Sequence, residues 1–106
     1  MSAEDVQRRE ARLIILRFLG EEVNRRLTST TLTIRLNEMF LMDKPRVWVE
    51  QELDYLASMG AVKLHAAGTV KIAQLTAHGA RHLSFAIAIP DVLRPSEPIV
   101  LPEALS

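Results

Sequence analysis

The sequence predicts an α+β domain, mostly helical, and three observations carry that expectation. In the stretch from Asp43 to Gly60, Val49, Leu53, Leu56 and Ala57 fall at i, i+4, i+7 and i+8, one face of a 3.6-residue period. Directly after Gly60, Val62, Leu64 and Ala66 alternate with Lys63 and His65, and Val70 and Ile72 flank Lys71, the period of two expected of half-buried strands. Ala67-Gly68-Thr69 supplies the turn between these two runs. An earlier helical segment stops near Leu41, only a short Met-Asp-Lys-Pro break before the next one. Two helices joined by a short turn, the second feeding a hairpin, describe a winged helix-turn-helix: three helices, a β-hairpin wing and a C-terminal helix.

Each element has its own local reason. Ala3 to Leu19 form the first helix, with Ser2 as N-cap and Glu4 and Asp5 in the first turn, where the helix dipole favours negative charge. Its run Leu13-Ile14-Ile15-Leu16, with Phe18 and Leu19, is too wide an apolar face for a single neighbour. Glu21 to Leu27 reads as a polar continuation or loop. Ser29, Thr30 and Thr31 are capping residues ahead of a second helix over Leu32 to Leu41, with Leu32, Leu36, Met39 and Phe40 on one face. Pro45 suits the first turn of the third helix, and Gly60 ends it as a left-handed cap. After the hairpin, Thr76 caps a fourth helix. Gly79 in its first turn is a poor helix former and predicts close backbone packing. Four of the five prolines fall from Pro90 onward, so no regular element is expected there. The domain division that follows is residues 1–89 as the folded unit and 90–106 as a proline-rich tail, with Ile99, Val100 and Leu101 docking on a neighbour.

Composition bounds the function. A chain of 106 residues suits one domain, and thirteen basic residues balance thirteen acidic ones. That neutrality argues against strong non-specific nucleic-acid binding, which phosphate neutralisation drives. The distribution is uneven, however. Ala61 to Phe85 contains Lys63, Lys71, Arg81 and three histidines with no acid, whereas Thr28 to Gly60 is net acidic. Any anion-binding face is therefore expected on the hairpin. The absence of cysteine excludes disulfides and cysteine-ligated zinc and fits a reducing cytosol. The first residues are charged where a secretory signal would be apolar, and no apolar run is long enough to span a bilayer, so no membrane partner is expected.

Catalytic and metal chemistry find little support. His78 and His82 share a helical face at i, i+4, but no glutamate follows His78 and no cysteine completes a ligand set, so both read as surface histidines near a basic wing. Glu50, Glu52 and Asp54 are close in sequence yet point in different directions around a helix. No nucleophile elbow or phosphate-cradling loop is present. Neither an enzyme nor a cofactor is expected. Arg8, Arg9 and Arg12, with Arg25 and Arg26, are candidates for phosphate contact, but they are interleaved with acids and read more simply as a solvated face.

Four segments carry a family resemblance: RREARLIILRFL, VWVEQELDYLASMGAV, LTAHGARHL and IPDVLRPSEP. Through them most of the chain resembles a family of small proteins encoded by Mu-like phages and prophages, near their DNA-packaging and head genes. In that family the middle segment commonly reads R-x-x-L-x-W-L-x-x-x-G-L-V. Leu53-Asp54-Tyr55-Leu56 and Met59-Gly60-Ala61-Val62 stand at the matching places, with Tyr55 where tryptophan is usual and Ala61 where a larger apolar residue is usual. The resemblance implies a winged-helix fold and a phage role, and it carries no biochemical activity across.

Two functional readings follow. In the first, the protein binds double-stranded DNA as a phage regulator or packaging accessory. Arg46 and Gln51 on the third helix approach base edges, while Lys63, His65 and Lys71 on the wing hold phosphate or enter the minor groove. Glu50 and Asp54, on the same helix face, oppose that contact. In the second, the fold is a protein-interaction module, a homodimer or a binder of phage or host proteins, engaging through Trp48 and Tyr55. For those two aromatics the alternative is packing against the first helix or the C-terminal segment.

Overall fold

A computed structural model describes residues 1–99. The chain folds as four helices and one three-stranded antiparallel sheet: α1 (Ala3–Glu21), β1 (Arg26–Thr28), α2 (Ser29–Phe40), α3 (Arg46–Ser58), β2 (Val62–Ala67), β3 (Val70–Leu75) and α4 (Ala77–Leu83). The sheet order is β1-β3-β2, so the hairpin's second strand lies in the middle. No helix among the described residues is long and apolar enough to cross a membrane.

Local chemistry sets the helix ends. Ser2 and Asp5 form a reciprocal capping box at the start of α1. Hydrogen bonds from the Ser2 side chain and then its backbone hold the Asp5 carboxyl below its ordinary value. That cap is intact above the ordinary carboxylate range and is lost as pH falls through the lowered value. α2 starts at Ser29, earlier than the sequence indicates, because Thr28 is the cap and accepts from the Thr31 N–H at 3.1 Å. Between α2 and α3, Leu41 and Asp43 adopt φ of 54° and 53°. The Asn37 amide clamps that turn, donating to the Lys44 carbonyl and accepting its N–H. α3 ends one residue before the Met59–Gly60 corner, where Gly60 has φ of 75°.

One core joins all elements. Leu13, Ile15, Leu16 and Leu19 of α1, Leu32 and Leu36 of α2, and Val49, Leu53 and Leu56 of α3 are fully buried. α1 is thus enclosed by several neighbours, as its wide apolar face requires. Met39 is a correction: expected on the buried face of α2, it is 62% exposed. The last turn of α2 overhangs the core, and Phe40 alone turns back, edge-on to Phe18 at 5.9 Å.

The sheet corrects the sequence reading twice. Arg26 and Leu27, expected within a polar continuation of the helix or a loop, belong with Thr28 to β1, pairing Leu27 with Ala73 and Thr28 with Ile72. The core side of β3 is also the opposite one from that expected. With Gly68 and Thr69 as a two-residue turn, Leu64 pairs with Ala73 and Val62 with Leu75, and these four face the helices. Val70 and Ile72 lie on the outer side with Lys63, His65 and Gln74.

α4 closes the hairpin against α3. Thr76 Oγ1 accepts from the Gly79 N–H and sits 2.6 Å from the Gly60 carbonyl, to which it donates. A Cβ on Gly79 would lie 2.4 Å from the Ala61 carbonyl oxygen, so only glycine allows this approach. After Leu83 the chain is irregular: the apolar run Ser84 to Ile89, expected to extend the helix or pair as a strand, does neither. The segment from Pro90 has no regular element, as its prolines predict, yet it packs tightly. Ile89, Val92 and Leu93 are buried in the same core, so the core runs past residue 89. Ile99 packs on it from the edge; Val100 and Leu101 lie outside the described residues.

Candidate nucleic-acid interface

α3 presents Val47, Gln51, Asp54 and Ser58 to solvent, the face the helical period predicts. Its three acids diverge and each has a separate role. Glu50 accepts from the Ser29 hydroxyl at 2.6 Å and lies 3.7 Å from Arg46. Asp54 accepts from Lys71 Nζ at 2.9 Å. Glu52 is 1% exposed and points into the protein, between Arg8 and Arg12 of α1.

The five predicted DNA-contacting residues therefore fall into two groups. Arg46, Gln51 and Lys71 lie on the α3 side of the molecule. There Arg46 is paired with Glu50 and Lys71 with Asp54, which leaves little uncompensated positive charge beside Gln51. Lys71 is further tied down because its backbone N–H donates to Ser29 Oγ at 3.1 Å. Lys63 and His65 are exposed on the other face of the hairpin. The arrangement does not bring the five into one surface.

On that outer face, register brings together residues that sequence reasoning separated. Arg26 of β1 and Lys63 of β2 both pair with Gln74 of β3, so the three form one row across the sheet. Thr28, Ile72 and His65 form the next row. No acidic residue stands on any of the three strands. The sequence names Arg26 only among five arginines of a solvated face, because the tripeptide Arg26–Thr28 is too short to show an alternating pattern that would set it beside Lys63.

Trp48 and Tyr55 take the packing role. Trp48 is buried, with the Arg8 guanidinium 5.0 Å and the Lys44 ammonium 5.3 Å from its ring centroid. The Tyr55 ring lies 3.9 Å beneath the Arg12 guanidinium, and its hydroxyl donates to the Pro90 carbonyl at 2.7 Å. Both aromatics are occupied by α1 and the C-terminal segment.

Two further expectations are corrected here. Arg8 and Arg12 are not a solvated stripe: both bind Glu52, and Arg12 Nη1 also donates to the Asp91 carbonyl at 2.8 Å. The signal was present, since positions 49, 52, 53 and 56 share the inward face of α3 and Arg8 and Arg12 are one turn apart on α1. His82, expected at the surface, is 1% exposed. Its Nδ1 accepts from the Ile89 N–H at 3.0 Å, which leaves Nε2 as the protonated nitrogen facing the Leu93 carbonyl at 2.9 Å. That ring therefore anchors the C-terminal segment. Among the described residues no group of metal-ligating side chains comes together.

Comparison of the chain with protein-family models, with curated proteins and with solved structures finds no match.

Proposed function

We propose that this protein is a winged-helix module that binds duplex DNA, in the cytoplasm, as a regulatory or packaging accessory of a Mu-like phage or prophage. The observation that carries the reading is the element order. Helix, short strand, two helices joined by a tight turn and then a hairpin, with the sheet ordered β1-β3-β2, supports a winged helix-turn-helix reading of this α+β domain. Cations on all three strands with no acid among them give the sheet the polarity such a role needs. The phage role rests on the sequence resemblance of the α1, α3, α4 and C-terminal segments.

The test is titration of fluorescent random-sequence duplex DNA with the protein at roughly 50 mM and 200 mM salt. Micromolar binding at the lower salt that weakens at the higher supports the reading; no binding at low salt removes it.

One observation favours a second reading, a protein-interaction module without DNA binding. Ile34 and Val47 are 49% and 63% exposed and line a groove of about 440 Å³ between α2 and α3. The charges around it are already paired. A homodimer through this groove shows as doubled mass in solution that Ile34→Asp with Val47→Asp returns to monomer.

A further inference from the structure

We infer that the DNA-contacting surface is the open outer face of the sheet, led by Arg26 and Lys63, and that it grips the phosphate backbone without reading sequence. The inference rests on the DNA-binding reading and says where and how that binding occurs. The sequence offers Arg26 only as one of five arginines weighed between phosphate contact and a solvated face; the sheet register is what sets it in one row with Lys63.

Three observations point there. First, Arg26, Gln74 and Lys63 form one row, so the Cα positions that carry the two cations flank the central strand about 10 Å apart, two strand spacings. Both are exposed, and neither is paired with a carboxylate among the described residues. They keep their full charge for an external anion. Second, the face adds neutral donors. The Gln74 amide lies between the cations, and His65 in the next row offers one ring N–H in either neutral tautomer. A phosphate oxygen takes amide, imidazole, ammonium and guanidinium donors alike, which suits a backbone and not a base edge. Third, the competing surface is electrostatically closed. On α3, Asp54 and Glu50 bracket Gln51, and the cations nearest them, Lys71 and Arg46, are held in ion pairs. Bringing α3 to a major groove would set two carboxylates against phosphate.

The surface is small, and so is its expected affinity. Two cations neutralising two phosphates give a log–log salt slope near −1.8, or about a twelvefold loss between 50 and 200 mM salt. With no base-edge contacts, duplexes of different sequence and equal length bind alike.

The experiment compares the full chain with two double variants, Arg26→Gln with Lys63→Gln on the sheet and Arg46→Ala with Gln51→Ala on α3. Matching thermal melts establish that each is folded. The neutral glutamines preserve side-chain length at exposed positions, and the single variants Arg26→Gln and Lys63→Gln serve if the pair does not fold. The expected result is loss of most binding and flattening of the salt slope in the sheet variant. The α3 variant stays within about threefold of the parent, and A·T-rich and G·C-rich duplexes do not differ. Retained binding in the sheet variant with loss in the α3 variant overturns this inference while leaving DNA binding intact. A parent protein that binds no duplex at low salt removes the DNA reading itself. Tighter binding to polyglutamate than to duplex assigns the face to an acidic protein partner and also overturns the inference.

Discussion

Glu52 is the residue whose loss should matter most to the folded state. Its carboxylate lies in the core between two guanidiniums, which themselves cover Trp48 and Tyr55. Breaking such a pair from one side leaves charge uncompensated in a low dielectric, typically about 3–5 kcal/mol. Glu52→Ala should lower the unfolding free energy measured by urea denaturation by an amount in that range, whereas Asp54→Ala, which breaks only an exposed ion pair, should cost about 0–1 kcal/mol. His82 is the second such position. His82→Phe keeps the volume but strands the Ile89 N–H and the Leu93 carbonyl, about 1–3 kcal/mol for each unsatisfied group. Hydrogen exchange at the Ile89 amide should accelerate in that variant even where the rest of the core stays protected. Gly79→Ala should destabilise strongly, because its Cβ meets backbone at 2.4 Å. Gly20→Ala meets only side-chain tips, Leu83 at 3.1 Å and Leu75 at 3.9 Å, and should cost far less than Gly79→Ala. The Gly79 requirement was legible, since a glycine in a helix's first turn asks for a reason. The burial of His82 was not: its partners are backbone groups of an irregular segment, and no side-chain pattern announces them.

At the scale of elements, the helices were legible and the strands only partly so. The i, i+4, i+7 spacing of Val49, Leu53 and Leu56 leaves one inward face, and all three are fully buried. In the hairpin, alternation alone fits either face, because Val70 and Ile72 are as apolar as Ala73 and Leu75. Turn length decides it. With Gly68 at φ of 62° opening a two-residue turn, Ala67 opposes Val70, and the parity of every later pair follows. Inserting one residue in that turn should therefore cost more than altering its side chains. Gly68→Asn, which tolerates a left-handed φ and meets no atom within 4 Å, should change stability by less than about 1 kcal/mol. An insertion after Thr69 should disturb the β2 pairing, visible as lost amide protection from Leu64 to Ala66. β1 escaped notice because three residues cannot display a period. Its existence depends on β3 offering a free edge, a property of the folded sheet and not of the tripeptide.

At the scale of the whole molecule, the irregular C-terminal segment is a strap. Its carbonyls at Pro90, Asp91, Leu93 and Pro95 accept from Tyr55, Arg12, His82 and Arg17, and its Leu93 N–H donates to the Arg9 carbonyl. Those bonds tie α1, α3 and α4 together. Val92→Asp should then lower the melting temperature of the entire domain in a single transition, since Val92 is 2% exposed in the shared core. The prolines made the segment legible as irregular, but not as folded, because its order comes from arginine and histidine donors far away in sequence. The same global arrangement separates a charge-compensated α3 side from an acid-free sheet face. The measurement that tests this division most directly is a ¹H–¹⁵N NMR titration of the protein with a short duplex at low salt. The account predicts fast-exchange shifts at Arg26, Lys63, His65 and Gln74, with Val47, Gln51 and Ser58 unmoved. Shifts centred on α3, or none at all, would contradict it.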